Sequence, residues 1–330
     1  MSAATRKRLA VAFFAGVTCL ALPLVLLPND LAFAQTKRTI RIIVPSTVGG
    51  GADLLARLLA DHISRTQNVK VVVENRPGAS NTIGTEVVSR AEPDGNTLLI
   101  STPEFVINAH LRKLNYDPLT SFVPVCYLAR SPQVFVVHTS SPYRTLKDLL
   151  DAARARPGEL TFASAGPASS TRFAIEMLKH LAKVDISYIP YQGSTPAVNA
   201  VLAGQVTAAL ASYPNVVGLV KDNQLRALAV TSPVRAGEIP SVPTVAESGF
   251  DGYESDIWFG VVAPAETPEK TVTELAGWFM DAVGSPELKS KFTALGLFET
   301  GICGSKFGSF ISSEHEKFGR AIRETSPLAR

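Results

Sequence analysis

The sequence runs to 330 residues, 46% hydrophobic and 18% charged, with 32 Lys and Arg against 29 Asp and Glu. Such a chain is too apolar to stay disordered and long enough for one large or two ordinary domains. A net charge of +3, with no Lys/Arg run beyond the first ten residues, argues against a nucleic-acid partner; three cysteines exclude a disulfide-dense scaffold and a multi-cysteine zinc module.

The first 34 residues read as a secretory leader. Arg6-Lys7-Arg8 is a basic start, Leu9 to Leu27 an apolar stretch broken by Pro23, and Ala32-Phe33-Ala34 a small-x-small signal for cleavage after Ala34. An uncleaved anchor is the alternative, because the apolar stretch nearly reaches spanning length. No second run approaches that length, so the mature chain reads as soluble. Cys19 leaves with the leader. Cys126 and Cys303 remain in an oxidising compartment, where they could pair, but the reading taken is two separately buried thiols.

Beyond the leader the chain repeats strand, small-residue loop and helix. Thr39–Val44 is a β-branched strand, followed by a Gly-rich loop to Asp53 and a helix marked by Leu54, Leu55, Leu58, Leu59 and Ile63. Val69–Glu74 is a strand, a helix surrounds Thr82–Arg90, and Thr97–Ile100 is a strand. Val123–Ala129 and Val134–His138 are extended segments joined at Arg130-Ser131-Pro132. Thr145–Ala155 is a helix, Leu160–Ala163 a strand, and Phe173, Met177, Leu178 and Leu181 mark one helix face. Ile186–Pro190 is a strand, Thr195-Pro196 opens a helix, and Val206–Leu210 and Leu225–Val230 are strands. Residues 231–257 are loop-rich; Phe259–Ala263 is a strand, and helices are expected to follow to the C-terminus. This alternation predicts an α/β protein with parallel or mixed sheets, in two lobes around a central cleft. The chain crosses between lobes near 127–134 and 231–258. Residues 35–130 plus 255–330 are expected to form lobe 1, and residues 131–254, hinge included, lobe 2.

The chemistry is first defined by what is missing. There is no nucleophile elbow, no phosphate-loop lysine motif and no H-E-x-x-H. The five histidines lack metal-ligand spacing, so no metal, cofactor or catalytic residue is assigned. Gly49-Gly50-Gly51 fails as a dinucleotide fingerprint because Leu54 stands where its third glycine should be. Three loops share a positive signal: Thr47–Gly51, Ser164–Ser170 and Gln192–Thr195 each bring glycines and hydroxyls to the start of a helix. Uncapped helix N-termini carry partial positive charge and donate N–H groups to anions. Two such loops facing each other would clamp a small carboxylate or dicarboxylate. Asp53 reads as a first-turn carboxylate, since it would repel an anion. Tyr191 and Trp258 either line the cleft or pack, and Arg76 and Arg172 are candidate charge partners.

Taken together, PSTVGGGADLLAR (Pro45 to Arg57), ENRPGASNTIG (Glu74 to Gly84), PDGNTL (Pro93 to Leu98), YIPYQGS (Tyr188 to Ser194), LRALAVTSPVR (Leu225 to Arg235), SVPTVAESG (Ser241 to Gly249) and WFGVVAPAETP (Trp258 to Pro268) resemble the Bug-type extracytoplasmic solute receptors of tripartite tricarboxylate transporters. The resemblance covers nearly all of residues 38–325. It implies a periplasmic-binding-protein fold of type II character, closing on a carboxylated ligand without catalysis and delivering it to membrane subunits. By that resemblance Ser46 to Gly51 and Ser164 to Ser170 hold the carboxylate, and the expected ligand-binding set is Ser46, Thr47, Gly49, Gly50, Ser101, Thr102, Ser164, Ala165, Ser169, Ser170, Tyr191 and Trp258. A periplasmic monomer is implied. Departures occur at Ser46, Ser80, Thr207 and Thr171-Arg172, and Arg172 near the pocket would accept an extra negative charge. Two other readings stay open: a ligand sensor for a membrane signalling protein, and a hydrolase using Ser164 or Ser169.

Overall fold

In a computed structural model the described residues are 38–325. The leader and its cleavage after Ala34 lie outside them. Two mixed sheets organise the fold. The first is built by β1 (Thr39–Val44), β2 (Lys70–Asn75), β3 (Thr97–Ser101), β4 (Phe122–Ser131), β10 (Ile257–Pro264) and β11 (Phe298–Cys303), in the order β11-β4-β10-β3-β1-β2. The second is built by β5 (Gln133–His138), β6 (Thr161–Ser164), β7 (Ser187–Pro190), β8 (Ala208–Ser212) and β9 (Leu225–Val230), in the order β7-β6-β8-β5-β9.

Helices cover both faces of each sheet, as strands buried on both sides require. On one face of the first sheet, Leu55, Ala56, Leu59 and Ile63 of α1 (Gly51–Thr66) meet Ile40, Ile42 and Val44. Leu275 and Phe279 of α8 (Glu269–Gly284) and Leu288 and Phe292 of α9 (Pro286–Ala294) complete that layer. Each fully buried leucine there contributes roughly 1.5–3 kcal/mol of transfer free energy. On the other face, α2 (Thr82–Ser89), α3 (Glu104–Leu111) and α10 (Ser305–Thr325) pack around Trp258, Phe307 and Phe318. The second sheet carries α4 (Leu146–Ala155) and α5 (Ser170–Ala182) on one side. On its other side lie α6 (Ser194–Leu202) and α7 (Tyr213–Lys221).

The chain leaves the first sheet through Pro132 alone and returns along residues 231–256. The two crossing strands are themselves paired, antiparallel, with Trp258 opposite Arg130 and Ile257 opposite Ser131. Buried polar bonds stitch the crossing. The Gln133 amide N–H donates to Thr231 Oγ1 at 2.9 Å, and the Arg130 guanidinium meets Asp256 at 2.8 Å.

Three elements depart from the sequence reading. Residues 104–111 and 213–221 are helices where none was expected, and Phe298–Cys303 is a strand rather than part of the C-terminal helices. That strand corrects the cysteine reading. In the β11–β4 register Cys303 lies directly opposite Cys126, and the two form a disulfide. A separation of 177 residues hid a contact that one edge strand creates. Replacing both by alanine is expected to lower the unfolding free energy by about 2–4 kcal/mol, chiefly by freeing a long loop in the unfolded chain. Urea unfolding with and without reductant checks this; coincident curves would contradict it.

Candidate functional site

A cavity of about 790 Å³ lies among residues contributed by both sheets. Helix beginnings form most of its polar wall. Lining residues Gly50 and Gly51, Ser80 and Asn81, Ser169 and Ser170, Gly193 and Ser194, and Ser212 with Pro214 and Asn215 are the N-terminal ends of α1, α2, α5, α6 and α7. At α1, α2, α6 and α7 no side chain caps the first turn. By contrast α4, away from the cavity, has a full capping box from Thr145 and Asp148. At the glycine caps of α1 and α6 the missing side-chain acceptor forgoes about a few tenths of a kcal/mol each. The same choice points N–H donors and partial positive charge into one space.

The loop after β1 is braced from behind. Asp53 is 1% exposed, and its carboxylate accepts the Gly49 amide N–H at 2.9 Å, Arg57 Nε at 3.0 Å and Asn75 Nδ2 at 3.0 Å. Burial alone would raise its pKa; the bonds from Arg57, Gly49 and Asn75 and the Arg57 charge outweigh that and hold it below the ordinary aspartate value. Asp53 therefore shapes the loop and does not line the cavity. Gly49 has φ +84° and Gly193 φ +116°, conformations that admit glycine with little strain.

The expected residues divide. Ser46, Thr47, Gly49, Gly50, Thr102, Ala165, Ser169 and Ser170 line the cavity together. The Ser46 hydroxyl is buried without a hydrogen-bond partner, and so is that of Ser131, a lining residue only 2% exposed. Ser101, Ser164, Tyr191 and Trp258 are outside the lining. Ser101 is buried at the end of β3. Ser164 is fully buried and donates to Tyr188 Oη at 3.2 Å. Tyr191 packs against the core between α6, α7 and the second sheet. Trp258 is 1% exposed, donates Nε1–H to Glu314 at 3.1 Å and meets Phe307 and Phe310 edge-on. Arg172 also turns away: it donates to the Pro167 carbonyl at 2.7 Å and lies over the Tyr188 ring. Arg76 pairs with Glu74.

The third loop read as a helix start, Gln192–Thr195, also lines the cavity, whereas the start of α7 and the apolar side were not read from sequence. The start of α7 could have been found from Ser212-Tyr213-Pro214, a small polar residue before an early proline. Glu104, and the apolar side formed by Ile257, Phe259, Ala294, Leu295 and Leu297, carried no local signal. Among the described lining residues there is no Lys, Arg or His, and Glu104 is the single ionisable side chain. Half the wall thus suits an anionic head held by backbone dipoles, and half suits a hydrocarbon body. Among the described residues no cluster of His, Cys, Asp and Glu could hold a metal, and no helix is long and apolar enough to cross a membrane.

Known proteins share this plan. Residues 55–326 match the family described as the tripartite tricarboxylate transporter family receptor. The chain is similar to Protein BugT of Bordetella pertussis, 33% identical over 87% of this chain and 89% of that protein. Among solved structures it is similar to R. palustris Rpa4515 with adipate, at 32% identity and TM-score 0.80, covering 87% of this chain and 97% of that one. It is also similar to MatC (Rpa3494) from Rhodopseudomonas palustris with bound malate, at 27% identity and TM-score 0.75, covering 86% and 99%. With its α/β architecture of two lobes and its receptor-like cavity, the chain belongs to the receptor family of tripartite tricarboxylate transporters, the Bug-type solute receptors.

Proposed function

We infer that this chain captures a small organic acid in the cavity and delivers it, unreacted, to the membrane subunits of a tripartite transporter. The observation that carries this reading is the convergence of five helix N-termini on one space whose lining has no cationic side chain. Backbone amides at the α1 end hold the carboxylate beside Ser46, Thr47, Gly49 and Gly50, while Thr102, Ala165, Ser169 and Ser170 line the cavity around the rest of the ligand. Acids bound by the similar proteins, adipate and malate, belong to the same chemical class. Ser164 and Ser169, which a hydrolase would need, are engaged by Tyr188, Gly166, Thr171 and the Arg172 amide, which favours capture without chemistry. The protein works in the periplasm as a monomer, its leader removed after Ala34. Residues 35–130 with 255–330 form one lobe and residues 131–254 the other, and closure of the two excludes water and strengthens the bonds to the acid.

A calorimetric and thermal-shift screen of mono- and dicarboxylic acids tests the reading. At least one acid is expected to bind with micromolar or tighter affinity and to raise the melting temperature. A folded protein that no acid shifts would overturn it.

A further inference from the structure

The α5 helix end differs from the others in the cavity because a side chain from the opposite sheet's helices already serves it. Ser170 N–H donates to Glu104 Oε1 at 3.1 Å. Glu104 opens α3, which follows β3 of the first sheet, whereas α5 follows β6 of the second. The other carboxylate oxygen, Oε2, accepts from Thr102 Oγ1 at 2.7 Å, and Thr102 Oγ1 in turn accepts from Asn81 Nδ2 at 3.2 Å. All four residues line the cavity. The carboxylate is thus fixed at both oxygens and set across the space between the sheets.

The neighbouring donors of that loop are also taken. Ala165 N–H donates to Thr171 Oγ1 at 3.1 Å, and Ser169 Oγ lies 2.7 Å from the Gly166 carbonyl. On the opposite side the situation reverses. The α1 end has no side-chain cap, and the buried hydroxyl of Ser46, in the loop leading to it, has no partner. One end of the cavity is open to an anion; the other holds an anion that belongs to the protein.

Resting on the receptor reading above, we propose that Glu104 is a specificity-determining residue that restricts the cargo to acids with one carboxylate. The carboxylate seats at the α1 end beside Ser46. The apolar body lies along Phe259, Leu295 and Leu297. The far end, facing Glu104, carries a neutral hydrogen-bond donor such as a hydroxyl. A second ligand carboxylate at that end would meet Glu104 at short range, with no Lys or Arg in the lining to offset the repulsion.

Matched pairs of probes isolate that one group: 6-hydroxyhexanoate against adipate, and 4-hydroxybenzoate against terephthalate. Wild-type protein is expected to bind the hydroxy acid of a pair at least about tenfold more tightly than the diacid. Glu104→Gln removes the charge while keeping the shape. Glu104→Ala frees the Ser170 N–H as well. Both are expected to move the ratio of affinities toward the diacid by about tenfold or more, with Glu104→Ala moving it further. Isothermal titration calorimetry reads the ratios, and thermal melts confirm that the variants are folded. Binding with the same ratio in wild type and both variants overturns the assignment of Glu104 and leaves the receptor reading standing. Failure of all four probes on all three folded proteins overturns the Glu104 assignment, and the receptor reading falls with it only if the wider acid screen also finds no ligand.

Discussion

Replacing Gly50 by aspartate should abolish acid binding while leaving the fold as stable as before, or slightly more so. Gly50 is the N-cap of α1, with φ −75° and ψ 166°, an extended conformation open to any L-residue. A Cβ there meets only the Thr47 carbonyl, at an ordinary 3.6 Å. Aspartate is among the best N-cap residues, and its carboxylate would accept the first-turn amides that no side chain now caps. The folded state gains a few tenths of a kcal/mol by this capping. The ligand loses twice, because its donors are occupied and a like charge stands at its seat. At about 4 Å and an effective dielectric near 20, that repulsion approaches 4 kcal/mol, so affinity should fall at least about a hundredfold. Gly50→Asn supplies a cap of the same shape without the charge, so its loss should be smaller, about tenfold, and the difference between the two variants isolates electrostatics. If Gly50→Asp binds the acid as tightly as wild type does, the α1 end is not the seat.

How far this site could be read from sequence depends on which residues announce themselves locally. The loop Ser46–Gly51 and the segment Ala165–Ser170 were legible because glycines and hydroxyls at a strand-to-helix junction have a mechanism attached: they expose helix amides. The strands β1 and β5 were legible from β-branched runs. Ser164 and Trp258 shared the right neighbourhood but not the right direction. In a strand successive side chains alternate faces, so a serine at the last position of β6 can point into the core, as Ser164 does toward Tyr188. Trp258 lies on β10, one residue before the lining residue Phe259. Alternation sends its ring to the other face of the sheet, under α10. Glu104 was invisible for a different reason. Its significance arises only when α3 and α5, 66 residues apart, are brought together, and no periodicity encodes that meeting. The Cys126–Cys303 bridge escaped in the same way, because β11 pairs with β4 only after six helices and six strands have intervened. Residues 298–303, interrupted by Gly301, carry a weak strand signal.

Deleting the Arg130 charge should be the most destabilising single change at the crossing, and its cost should depend on pH with a definite sign. Arg130 Nη1 lies 2.8 Å from Asp256 Oδ2, with the aspartate side chain 5% exposed, where the strand leaving the first sheet pairs with the strand returning to it. Burial pushes the Asp256 carboxyl from 3.8 up to about 6, even against the pull of Arg130. In the window between those values the folded protein binds this proton and the unfolded chain does not. The stability Asp256 contributes is therefore fully present below about pH 4 and is lost as the pH rises through about 6. Among the described residues, Arg130→Met removes the one cation paired with Asp256 in a salt bridge. A buried carboxylate stripped of its partner typically costs 3–5 kcal/mol, and that loss is expected near pH 7.5, read by urea unfolding. At pH 5 the carboxyl can take up a proton instead, so the deficit should shrink to about 2 kcal/mol or less. Adding Asp256→Asn to Arg130→Met should recover most of the loss at pH 7.5, since the uncompensated charge is gone while Thr231 Oγ1 keeps a polar neighbour. A deficit that stays the same from pH 5 to 7.5 would mean that Asp256 remains charged without Arg130. The crossing would then be held by its strand pairing and by the Gln133 bonds to Thr231 and Ser255 rather than by the ion pair.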